Sequence, residues 1–167
     1  MKDKIEKNKE GFEFFIKEIP YLLELLHDLL LNSKNYKNIT IDFKLETVSK
    51  VESLYIDILK ENERTILSKN LIDKIMIAYY GEAFIHNAGG NWEYNDHKDD
   101  YVYGTPIIFN WGNGKNNMRI SPVSLIESIK KKLTPGMLIS IDYAVNMEER
   151  EKKIMDEMRA LSKKRKK

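Results

Sequence analysis

The 167-residue chain sets 28 Lys and Arg against 26 Asp and Glu, a formal net charge of +2 that excludes a surface built throughout for nucleic acid. Its length suits one sizeable core and falls short of two ordinary domains, and 42% hydrophobic with 32% charged residues excludes a disordered chain. Cysteine is absent, which excludes disulfides, thiolate metal sites and cysteine nucleophiles and fits a reducing compartment.

The first twenty residues mix both charge signs with apolar side chains, unlike a signal peptide. No run approaches the roughly 20 apolar residues of a membrane span, so a cytoplasmic protein is expected. Phe12, Phe15, Ile16 and Ile19 predict a helix over 4–18, which Pro20 should kink or restart. Leucines 22, 23, 26, 29 and 30 then form the broad apolar face of a buried helix over 21–31. After a polar loop, Ile39, Ile41 and Phe43 alternate as in a short strand or an extended lead-in. Helical spacing returns over 45–60 and again over 63–86, where Leu67, Leu71, Ile75 and Ala78 share one stripe. "NAGG" stops that helix, since asparagine and glycine tolerate the left-handed conformation of a C-cap.

The period then changes to two. "NWEY" is a short strand, "YVYGTPIIFNW" (101–111) a longer one and "NNMRI" its partner, joined through Asn113-Gly114, a pair favoured in tight hairpin turns. Pro106 cannot donate to a ladder, so its strand should be an edge there or bulged. Ser121-Pro122 starts a helix with a cap and a first-turn proline. A further helix is expected over 137–146. Residues 147–163 form a charged helix with a narrow stripe of Met147, Ile154, Met158 and Leu161, followed by a basic end, "KKRKK". That stripe resembles a coiled-coil seam and is a candidate for homo-oligomer contacts. The basic end reads as a solubilising terminus rather than a nucleic-acid contact. The expected fold class is α+β: a helical body packed on a small antiparallel β-hairpin sheet, with a charged C-terminal helix. One domain spans 1–167, comprising N-terminal helices (1–36), an α+β core (39–146) and the charged helix with its basic tail (147–167).

Chemistry concentrates in "YYGEAFIHNAGGNWEYND", residues 79–96. At 100° per residue Glu82 falls within about 40° of Leu71, Ile75 and Ala78, a carboxylate on an apolar stripe. It needs a partner there, because unpaired burial costs several kcal/mol. It is then either an acid/base with a raised pKa or a structural acceptor for a tyrosine hydroxyl, the Trp92 indole or a turn amide. His86 lies one turn on, and a cluster of Glu82 and His86 with His97 or Asp96 is a candidate metal site that matches no established signature. Gly81 costs a helix about 1 kcal/mol against alanine, which implies that another element approaches closely at that turn. Trp92 is expected to pack back over the helix and seal the junction.

The order of features resembles a group of small uncharacterised bacterial α+β domains in which a helix carrying "Y-x-G-E" runs into "G-G-x-W", a β-hairpin and a short "N/S-P" helix. The matching residues are Tyr79, Gly81, Glu82, Gly89, Gly90, Trp92, Ser121 and Pro122, within a likeness over roughly 41–145. The resemblance implies a shared fold and no established activity; some such domains look like accessory or immunity proteins of bacterial toxin systems. The functional expectation is a non-catalytic cytoplasmic interaction protein with no cofactor. Its binding surface is centred on Trp92, Tyr94, Tyr101, Tyr103 and Trp111, aromatic anchors within a polar rim, and its partner is another protein rather than a membrane or nucleic acid. The alternative is a small metal-dependent hydrolase centred on Glu82 and His86, for which these groups must converge in one pocket.

Overall fold

A computed structural model describes residues 5–112 and 118–164, without the side chains of 148, 151 and 159–164. The Asn113-Gly114 turn and the last three residues of the basic tail lie outside the described residues. Helix α1 spans Lys9–Asn32 and starts where the Asn8 side chain accepts from Gly11 N (2.7 Å). It begins later than periodicity alone suggests because the preceding segment folds back. A Cβ on Gly11 would come within 2.5 Å of Glu6 O, so only glycine admits that turn. Pro20 neither ends nor restarts α1; its ring is exposed, and the helix continues through it. The buried face is Phe15, Ile19, Leu22, Leu26 and Leu30.

Residues 39–43 form the extended lead-in and no strand, with Ile39, Ile41 and Phe43 packed against the core. Helix α2 (Leu45–Leu59) follows, and α3 (Lys69–Ala88) is the central helix. Ser68 caps α3 by accepting from Leu71 N (3.2 Å), so residues 63–67 lie outside it, contrary to the start expected at 63. Gly89 (φ 76°) ends α3 in the left-handed region, its N–H donating to Ile85 O (2.9 Å) as "NAGG" predicts.

Three antiparallel strands follow in the order β1-β2-β3: β1 (Asn91–Tyr94), β2 (Pro106–Phe109) and β3 (Arg119–Ile120). Trp92 pairs with Ile108, and Phe109 with Arg119. The long strand expected over 101–111 is reduced to its second half, because 101–104 form turns. Pro106 heads the central strand opposite Tyr94, and the β3 pairing reaches only Ile108, so its missing donor falls where no neighbour needs it. Helix α4 (Pro122–Lys132) is capped by Ser121 as expected and ends at Leu133 in the left-handed conformation (φ 51°). Helices α5 (Met137–Val145) and α6 (Met147–Lys164) complete the chain. One core cluster draws on α1 through α5 and β2, and α3 is buried on nearly every side within it. The fold is therefore α+β, a helical body with a small hairpin sheet. Among the described residues no helix is long and apolar enough to cross a membrane.

Candidate functional site

The helix-to-sheet junction supplies Glu82 with a partner. Gly81 gives way to the Trp92 ring: a Cβ there would lie 1.9 Å from Trp92 Cζ2 and 2.1 Å from Cη2. β1 brings the ring over α3, where its Nε1–H donates to Glu82 Oε1 (2.8 Å) and it packs edge-on to Phe15 at 5.5 Å. The missing Cβ, the indole and the carboxylate make one clamp. Glu82 is half-buried rather than sunk in the apolar stripe, and its hydrogen bond goes to the tryptophan.

His86 is exposed one turn further, its ring 6.0 Å from that of Phe43, and His97 and Asp96 are exposed on the β1–β2 loop. Among the described residues no three His, Asp or Glu side chains form a group able to hold a metal ion, so the Glu82–His86–His97–Asp96 cluster is not assembled.

The five aromatic candidates separate. Trp111 is 8% exposed and packs edge-on to Phe84 at 5.4 Å, and its Nε1 has no partner among the described residues. Trp92 is engaged in the clamp, and Tyr94 is half-buried 6.1 Å from the Phe12 ring. Tyr101 and Tyr103 remain outward, 79% and 39% exposed. Tyr101 is nonetheless fixed in place, because its hydroxyl shares a hydrogen bond with Ser124 Oγ at the start of α4 (2.6 Å).

The loop carrying these two rings is closed from inside. Asn95 is fully buried; its Nδ2 donates to Asp100 Oδ2 (3.0 Å), and its Oδ1 accepts from His97 N (3.3 Å). Its backbone pairs with Thr105 O and Gly104 N. Asp100 Oδ1 also accepts from Val102 N (3.2 Å), and Oδ2 pairs with Arg119 of β3 (3.2 Å). The Val102 amide, then the Asn95 amide and the Arg119 charge, hold the Asp100 carboxyl below its ordinary range. Since the folded pKa is the lower one, Asp100 stabilises the loop above the ordinary aspartate range and loses that contribution as the pH falls through its folded value. Protection of the 95–105 amides relative to their intrinsic exchange rates is expected to fall on acidification below about pH 4, and Asp100→Asn should show the lower protection already at neutral pH. Equal protection in both proteins at neutral pH would refute this. Outside this network, His97, Lys98, Asp99, Asp100, Tyr101 and Arg119 line an open hollow of about 460 Å³.

Two buried charges carry a signal that the sequence reading passed over. Glu52 on α2 is 1% exposed and accepts from Gly136 N and Met137 N (2.6 Å), capping α5 from another helix. Lys74 on α3 is 2% exposed and pairs with Glu18 of α1 (2.5 Å). Each lies at helical spacing among apolar neighbours, the criterion that singled out Glu82.

No protein-family model matches the chain, and no curated protein or solved structure matches it significantly.

Proposed function

We propose that the chain works by binding another protein through the β1–β2 loop, as a non-catalytic accessory- or immunity-like protein of the bacterial cytoplasm. The observation that carries this reading is the exposure of Tyr101 and Tyr103 on a loop whose interior hydrogen bonds fix its shape. Large rings held before binding lose little freedom on contact, which is what interface anchors require. Around them Glu93, Asp96 and Asp99 are exposed with Lys98 and His97, an acidic rim suited to a partner with a basic, hydrogen-bonding face. The likeness of the junction to small uncharacterised bacterial α+β domains, some of which look like accessory or immunity proteins, is in keeping with the same class. Trp92 and Trp111 serve this surface from behind: Trp92 holds β1 on α1 and α3, and Trp111, just after β2, packs on Phe84 of α3.

Affinity capture from cells of the protein's own source tests the reading. The wild-type chain should retain a specific partner that Tyr101→Ser/Tyr103→Ser loses at least tenfold, while the variant keeps its unfolding midpoint within the small range of surface substitutions, about 0.5 kcal/mol. Equal retention by both proteins, or no specific partner, would count against it.

A further inference from the structure

Leu25, Asp28, Leu29 and Asn32 follow at i, i+3, i+4 and i+7, so they share one face of α1. That face flanks the buried stripe of Leu22, Leu26 and Leu30, and its two leucines stay half-buried. Residues 64–67, between α2 and α3, form the facing wall of an open hollow of about 680 Å³. Small-ligand clefts usually measure about 300–1,000 Å³. Leu25, Leu29 and Leu67 give the hollow its apolar part, and Ile66 lines it while fully exposed. The loop wall is set before any ligand arrives. Glu63 accepts from Asn35 Nδ2 (2.9 Å) and Ser33 Oγ (3.2 Å), and Thr65 Oγ1 accepts from Leu67 N (3.1 Å).

Charge identifies what fits there. Asp28 on the helix wall and Arg64 on the loop wall carry opposite charges on one hollow, yet neither makes an ion pair with the other or with any other described residue. Asn32 Nδ2 donates to Asp28 O (2.8 Å), which leaves its side-chain carbonyl for another donor. An acid and a base kept apart beside apolar surface complement a molecule that carries an ammonium, a carboxylate and apolar side chains. We propose that this hollow binds a short zwitterionic peptide with apolar side chains, independently of the β1–β2 loop. Asp28 takes the terminal ammonium, Arg64 the terminal carboxylate and Asn32 Oδ1 a peptide N–H, while the leucines and Ile66 take the side chains. The end of a longer chain brings only one of the two charges, and an anionic amphiphile meets Asp28, so the free peptide is the occupant that both charges select.

Heteronuclear NMR titration of the full chain with leucylleucine tests this, and saturable shifts are expected at the amides of 25–32 and 64–67. Glycylglycine, without the two apolar side chains, should bind at least about tenfold more weakly. N-acetyl-leucylleucine and leucylleucine amide each lack one charge and should bind about two- to fivefold more weakly, the scale of an exposed ion pair. In Asp28→Asn the free and acetylated peptides should bind alike, and in Arg64→Gln the free and amidated ones. A variant that merely lost its fold would not exchange specificities in this way. No saturation with leucylleucine, shifts centred elsewhere, or equal binding of all three leucine dipeptides by the wild-type chain would overturn the proposal. Tighter binding of the acetylated than of the free dipeptide would assign the hollow to anions and overturn it equally.

Discussion

Gly81→Ala is expected to destabilise the protein by about 2 kcal/mol, although helix propensity alone would favour the alanine by about 1 kcal/mol. The added methyl falls 1.9 Å from Trp92 Cζ2, where no rotation of the methyl relieves the clash, so the indole must move. Displacing it strains a packed contact, typically about 1–3 kcal/mol. It also breaks the bond to Glu82 Oε1, worth about 1.5–3 kcal/mol to a charged acceptor. Those losses outweigh the propensity gain. The sign should reverse once the ring is gone: in a Trp92→Ala background, Gly81→Ala should stabilise by up to about 1 kcal/mol. Urea unfolding of the four proteins measures this. Equal effects of Gly81→Ala in both backgrounds would show that the ring is not what requires the glycine.

Glu52→Ala should cost about 4 kcal/mol, a large fraction of an ordinary domain's stability of about 5–15 kcal/mol. Helix α5 has no side-chain cap of its own: Gly136 stands at its N-cap, and the carboxylate of α2 takes the first amides instead. Removing that side chain leaves the buried Met137 donor and the half-buried Gly136 donor unpaired, at about 1–3 kcal/mol for a buried one, and removes a negative charge from the positive end of the helix dipole. Glu52→Gln keeps an acceptor and should lose about 1–2 kcal/mol. The contrast with Glu82 is the informative part. Half-buried and bonded by one indole, Glu82→Gln should stay within about 1 kcal/mol of wild type. Denaturant midpoints for the three variants check the ranking; a Glu52→Ala protein as stable as wild type would contradict it.

Local chemistry made the ends of several elements legible. Ser121-Pro122 announces α4, "NAGG" stops α3, and the cost of Gly81 within a helix points to a close neighbour, which is Trp92. What escaped the sequence was set by distant partners. The carboxylate of Glu52 answers amides 84 and 85 residues later, with nothing nearby to signal them. "YVYG" alternates like a strand, yet it turns because Asp100 and buried Asn95 close the loop around Val102. The same closure separates the five aromatic residues: only a folded chain distinguishes Trp111, packed on Phe84, from Tyr101, held outward by Ser124. Helical angles placed Glu82 near the apolar stripe, but angle alone does not fix depth, and its neighbour Trp92 arrives from another element.

A photo-crosslinking amino acid placed at position 101 in living cells tests the proposed function most directly, with the same group at exposed Ser53 on α2 as the control. Position 101 should yield one discrete adduct with another protein, and position 53 should yield none. Adducts of equal yield at both positions, or none at 101 in cells that retain the folded protein, would contradict a binding surface on the β1–β2 loop.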